Sequence, residues 1–108
     1  MTDSSNGSVI RPGEVPTPTY EITLTLSGRA SLHARPAALL VQVANGFACE
    51  VRVFKAGGGS ASGKSILGIL SLDVGPRDTI TIRTEGDDAQ QALARIRALV
   101  ESDFVEVE

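Results

Sequence analysis

Residues 58–65 read GGSASGKS, a glycine followed after four residues by Gly63-Lys64-Ser65, which is the spacing of a phosphate-binding P-loop. Two folds compete for this stretch. In one, the glycines form the turn between a parallel strand and a long helix, where backbone N–H groups cradle a nucleotide's phosphates. In the other they are the tip of an antiparallel hairpin. The flanking residues decide between them. Val51 and Val53 alternate with Glu50 and Arg52, whereas the central strand of a parallel sheet is apolar on both faces. A helix starting at Ser65 meets Gly68 early and cannot pass Gly75-Pro76, and no later apolar strand ending in Asp supplies a second Mg²⁺ ligand. The stretch therefore predicts a glycine hairpin leading into a short helix capped by Ser65, and excludes a nucleotide site.

Working outward, Tyr20, Ile22, Leu24 and Leu26 alternate with Glu21, Thr23 and Thr25, the pattern of a half-buried strand whose first four apolar residues face inward. Pro36 suits the first turn of a helix over Ala34 to Ala44, in which Leu39, Leu40, Val43 and Ala44 recur at helical spacing before Asn45-Gly46. A second strand spans Ala48 to Lys55 and a third Ser60 to Gly63. The short helix carries Ile66, Leu67, Ile69 and Leu70, and a strand over Asp78 to Thr84 turns Ile80 and Ile82 inward. A last helix begins near Asp87, whose carboxylate is expected to cap it, with Ala89, Ala92, Leu93, Ile96 and Leu99 or Val100 as its buried stripe. The order βαββαβα with one-sided strands predicts an α+β layered fold, an antiparallel sheet covered on one face by helices.

Residues 1–18 are rich in Ser, Thr, Pro and Gly without sustained period, and are expected to be a disordered extension preceding a single domain over 19–108. The 108 residues are 42% hydrophobic and 21% charged, as in an ordinary one-domain globule. No apolar run approaches a bilayer span and the polar N-terminus has no signal-peptide pattern, so a cytoplasmic protein with no membrane insertion is expected. Cys49, the single cysteine, lies in an alternating strand and reads as core. The net charge is −3, but residues 27–64 hold Arg29, Arg35, Arg52, Lys55 and Lys64 against Glu50 alone. This local basic character within an acidic chain suits a phosphate or an acidic partner, not a nucleic acid.

The chemistry concentrates at Leu32-His33-Ala34-Arg35-Pro36-Ala37. His33, the single histidine, falls at the start of the first helix. Free N–H groups and the positive end of the helix dipole stabilise an anion there, and Arg35 adds a fixed positive charge. An imidazole that titrates near neutrality can act as a nucleophile and then as a leaving group, as reversible phosphoryl transfer requires.

Residues 32–37 resemble the active-site signature of HPr, the histidine-containing phosphocarrier family of the bacterial phosphoenolpyruvate-dependent sugar phosphotransferase system. Residues 64–72, KSILGILSL, are similar to that family's regulatory serine segment. The resemblance covers about Tyr20 to Val100. It implies an open-faced β-sandwich of four antiparallel strands and three helices. It also implies that His33 accepts phosphate at Nδ1 from phosphorylated enzyme I and passes it to sugar-specific enzyme IIA domains. Ala34 and Arg35 would hold the phosphate, and Ile66, Leu67 and Leu70 would dock partners. In some relatives the serine matching Ser65 is phosphorylated by a dedicated HPr serine kinase, which creates a partner for a transcription regulator. No metal or organic cofactor is implied, and a monomer is expected. The alternative is a mainly regulatory interaction protein of a non-transporting branch. Ala30 and Ser31 depart from residues common in the family, as does Arg77, where a turn glycine is usual.

Overall fold

The computed structural model describes residues 17–104, so the expectation for residues 1–18 falls almost wholly outside the described residues. The elements are β1 (Thr19–Thr25), α1 (Ala34–Asn45), β2 (Glu50–Lys55), β3 (Ser60–Ser62), α2 (Ile66–Leu72), β4 (Thr79–Glu85) and α3 (Ala89–Glu101). The strands form one antiparallel sheet in the order β1-β4-β2-β3. This is the expected open-faced α+β sandwich, in the expected βαββαβα order.

Alternation along the strands explains why only one face is covered. In β4, Ile80, Ile82 and Thr84 are buried while Arg83 and Glu85 are exposed; in β2, Val51 and Val53 are buried. Register places Val53 and Ile22 on either side of Ile82, so one apolar layer runs across the sheet. Leu40, Val43, Ile69, Ile96 and Val100 from the helices close over it. The other face is polar. There Thr23 and Thr81 pair at 2.9 Å, as do Thr25 and Thr79, and the Arg83 guanidinium lies 4.8 Å from the Phe54 ring centroid. The alternation of β1 is as expected except at its second residue: Tyr20 lines an open cleft with Leu93 and Arg97 of α3 but is 38% exposed, β1 being an edge strand.

The GGSASGKS stretch runs from a hairpin tip through β3 to the start of α2. Gly57, Gly58 and Gly59 all have positive φ, which only glycine adopts freely, and Lys55 N–H donates to the Gly59 carbonyl at 2.9 Å. Ser65 then caps α2, its Oγ accepting from Gly68 N–H at 3.1 Å. The turn before β4 keeps a left-handed residue without a glycine: Arg77 has a φ of 67° and donates its N–H to the Ser27 carbonyl. Asp78 steadies the same turn by accepting from Gly75 N–H at 2.8 Å.

The start of α3 differs from expectation. Its N-cap is Asp88, not Asp87, and that carboxylate makes no cap bond to the helix. Instead, Asp88 Oδ2 and Oδ1 accept the Ala48 and Cys49 N–H groups, each at 2.9 Å, tying α3 to the entry of β2. These backbone donors hold the Asp88 carboxyl below the usual carboxylate range, the Ala48 N–H contributing most. Cys49 is core, as read, and its thiol is pushed up first by burial and then by its contact with Asp88. At the same junction Gly86 has a φ of 144°, and a Cβ there would meet Cys49 Cβ at 2.8 Å and Cys49 Cα at 2.9 Å.

Two outcomes follow from this junction. Gly86→Ala combines backbone strain with a clash against a buried neighbour, and is expected to cost on the order of 3 kcal/mol in urea unfolding. For Asp88 the folded carboxyl is the stronger acid, so its stabilisation is complete above the ordinary carboxylate pKa and is lost as pH falls through the lowered value. Asp88→Asn is therefore expected to melt below wild type at pH 7, with the gap closing as both are acidified.

Candidate functional site

The site is assembled where the loop entering α1 crosses the exit of α2. Leu32 N–H donates to the Val74 carbonyl at 2.8 Å, and both residues are fully buried. His33 follows Leu32 directly and is the N-cap of α1, with extended backbone at φ −109° and ψ 160°. Its imidazole makes no capping hydrogen bond and its side chain is 52% exposed. The ring is thus not a structural cap, one of the two roles open to a histidine at a helix start.

The backbone around the ring leaves donors open. The first helical N–H groups have no intrahelical acceptor. Ala34 and Arg35 N–H find no partner elsewhere among the described residues, and Pro36 has no N–H to offer. Ala37 N–H closes the first turn onto the His33 carbonyl at 3.4 Å. No acidic residue stands in the first turn of α1, so nothing there competes for the dipole. Arg35 is exposed and forms no ion pair among the described residues. Ala34 has a φ of 35°, a left-handed backbone that costs a non-glycine residue about 1–2 kcal/mol. An exposed nucleophilic ring, two open N–H donors and one unpaired guanidinium can receive an anionic tetrahedral group.

α2 runs from Ser65 toward His33 and presents two exposed apolar side chains, Ile66 at 41% and Leu67 at 77%. Leu70 is half-buried and packs against the core, while Ile69 is fully buried as expected. Lys64 is held down, its Nζ donating to the Phe47 carbonyl at 2.7 Å, so the α1 exit and the α2 entry are clamped together. Ala30 is a core residue, 4% exposed.

Asp73 was not foreseen from the sequence. It is the C-cap of α2, and its Oδ1 lies 3.4 Å from His33 Nε2. Periodicity carries no signal for a residue brought to a site by one left-handed turn. Among the described residues there is no cluster of three or more His, Cys, Asp or Glu side chains able to hold a metal ion, and no helix long and apolar enough to cross a membrane.

The family model for the PTS HPr component phosphorylation site matches residues 20–102. The HPr-like protein Crh of Halalkalibacterium halodurans is 44% identical over 69% of this chain and 88% of its own length. The phosphocarrier protein HPr of Cupriavidus necator is 36% identical over 78% of this chain and 93% of its own. The crystal structure of a phosphocarrier protein HPr from Bacillus anthracis superposes with a TM-score of 0.71 at 43% identity, covering 76% of this chain and 96% of that one. With the sheet order, the helical cover and the extent of these matches in agreement, the chain belongs to the HPr family, the phosphocarrier proteins of the phosphotransferase system.

Proposed function

We propose that the chain carries a phosphoryl group on His33, received from phospho-enzyme I and delivered to sugar-specific enzyme IIA domains. The observation that carries this reading is the position of the imidazole. It caps nothing, it is half exposed, and it stands beside the open N–H groups of Ala34 and Arg35 at the start of a 12-residue helix. The Nδ1 lone pair attacks phosphorus as the donor's bond to phosphorus breaks, so the ring is a covalent way-station and the protein a carrier, not a catalyst. Phosphoryl transfer asks a protein mainly for positioning and charge stabilisation. The Arg35 guanidinium and the two N–H groups supply the charge-assisted bonds to the transferring oxygens. Ile66 and Leu67, with Leu70 beneath them, form the apolar surface on which partners dock; an exposed apolar patch beside a basic site has that character. The working unit is a monomeric domain over residues 19–108, in the cytoplasm, and needs no cofactor for this step.

A second, regulatory reading is favoured by Ser65. Its hydroxyl caps α2 at the edge of the Ile66 and Leu67 patch. A phosphate at that helix start would set a double negative charge on the docking surface, weakening carriage and making a distinct face for a transcription regulator. A serine kinase would be the partner that switches it.

Incubation with phosphoenolpyruvate and enzyme I, followed by intact mass, is expected to add one acid-labile phosphate to the wild type and none to His33→Ala. Transfer to His33→Ala would sink the carrier reading. Arg35→Ala is expected to accept phosphate about 10- to 100-fold more slowly, the worth of one hydrogen bond to a charged group. Ser65→Ala removes the cap and is expected to cost about 1 kcal/mol of stability while leaving carriage intact. Ser65→Asp is expected to slow uptake from enzyme I on the order of tenfold by charge alone. Negligible carriage by a folded wild type that still binds a regulator would move the regulatory reading to the front.

A further inference from the structure

His33 is not alone at the end of α1. Asp73 adopts a left-handed backbone, φ 54° and ψ 50°, which Asp tolerates better than most residues but which still needs support. Three hydrogen bonds supply it. Asp73 N–H donates to the Leu70 carbonyl at 3.2 Å, Lys55 Nζ donates to the Asp73 carbonyl at 3.0 Å, and the next residue, Val74, accepts from Leu32 N–H at 2.8 Å. Leu32 immediately precedes His33. The backbones of both side chains are therefore pinned to each other through buried neighbours, although the side chains themselves are 52% and 80% exposed. Within that frame the Asp73 carboxylate faces one ring nitrogen, Nε2, at 3.4 Å.

We infer that Asp73 is a positioning residue for His33, its carboxylate holding the ring proton on Nε2 so that the lone pair presented to phosphorus is on Nδ1. The inference rests on the carrier reading of His33. A neutral imidazole has one N–H and one lone pair, and a ring protonated on Nδ1 cannot attack from that atom. With Nε2–H facing the carboxylate, the nucleophilic tautomer is the favoured one, the same division of labour by which a carboxylate orients histidine in hydrolytic triads. As the Nδ1–P bond forms and the donor's bond to phosphorus breaks, the ring becomes cationic with its proton still on Nε2, and Asp73 offsets that charge. On onward transfer the N–P bond breaks and its electron pair returns to Nδ1. The ring is then neutral, with the Nε2 proton unmoved. Neither step requires a proton to be relocated.

The experiment is ¹⁵N NMR of the unphosphorylated protein with its ring neutral, where a single histidine makes the assignment unambiguous. The ratio of Nε2–H to Nδ1–H tautomer is expected to fall about threefold in Asp73→Gly, a size set by the exposure of the pair. It is expected to fall less in Asp73→Asn, which keeps an acceptor without the charge. Glycine takes the left-handed backbone without strain, so Asp73→Gly should retain its fold, which its melting curve checks. Phosphoryl uptake from enzyme I is expected to slow by a similar factor. Equal tautomer ratios in wild type and both variants would overturn the inference. If the wild type took up no phosphate, the carrier reading would fall, while the tautomer ratio would still decide whether Asp73 orients His33.

Discussion

A single main-chain hydrogen bond, from Leu32 N–H to the Val74 carbonyl at 2.8 Å, holds the entry of α1 against the exit of α2. Both partners are fully buried, so water cannot replace this bond without opening the core. Its importance lies in what stands on either side. One step after Leu32 the chain emerges as His33, and one step before Val74 it emerges as Asp73. A buried anchor with exposed neighbours is how a solvent-facing ring can be placed without being packed. Two residues beyond the anchor, Ala34 keeps a left-handed backbone without a glycine, and Pro36 fixes φ two residues further on.

The sheet makes that crossing possible. In the order β1-β4-β2-β3, β4 lies between the first two strands in sequence, so the chain must leave one side of the sheet, cross its covered face and return more than once. α1 and α2 are the two passages made before β4 closes the centre. The start of α1 meets the exit of α2 near the strand ends where Leu26 N–H, just past β1, reaches the Asp78 carbonyl, just before β4, at 2.9 Å. The Asp88 carboxylate performs the matching service at the opposite end, joining α3 to the entry of β2. At the end that carries His33, Asp78 and Lys55 likewise bond to backbone groups, while the side chains of His33 and Arg35 make no such bond among the described residues.

Much of this was legible in the sequence, for identifiable reasons. Alternation in β1, β2 and β4 and helical spacing in α1 and α3 report burial directly, and burial determines these elements. The hairpin was readable because the three glycines and the polar partners of Val51 and Val53 argue against a parallel strand. His33 and Arg35 could be proposed because a helix start confers chemistry on whatever occupies it. Tyr20 was misread as buried because alternation gives the face of a strand but not whether that strand lies at the edge of its sheet. Asp88 was missed as a cross-link because capping rules consider only the backbone of the helix that follows, while the N–H donors its carboxylate accepts from belong to Ala48 and Cys49, about forty residues upstream. Asp73 was invisible for a related reason. Its place depends on one left-handed turn, and no periodic pattern records where such a turn points.

On the carrier reading, the site around His33 has to satisfy partners on both sides of a transfer, and that requirement is consistent with how little of it is enclosed. A deep pocket would stabilise the phosphorylated ring and so oppose its release, since only interactions that differ between states change a transfer equilibrium. Here the ring is half exposed, the donors are two backbone groups and one exposed guanidinium, and the carboxylate at Nε2 is open to solvent. Each interaction is weak because water screens it. What holds the backbone geometry is the buried Leu32–Val74 bond, with half-buried Lys55 bonded to the Asp73 carbonyl beside it. On the carrier reading, the fold spends its stability on placing the imidazole and leaves the strength of phosphate binding to whichever partner docks on Ile66 and Leu67.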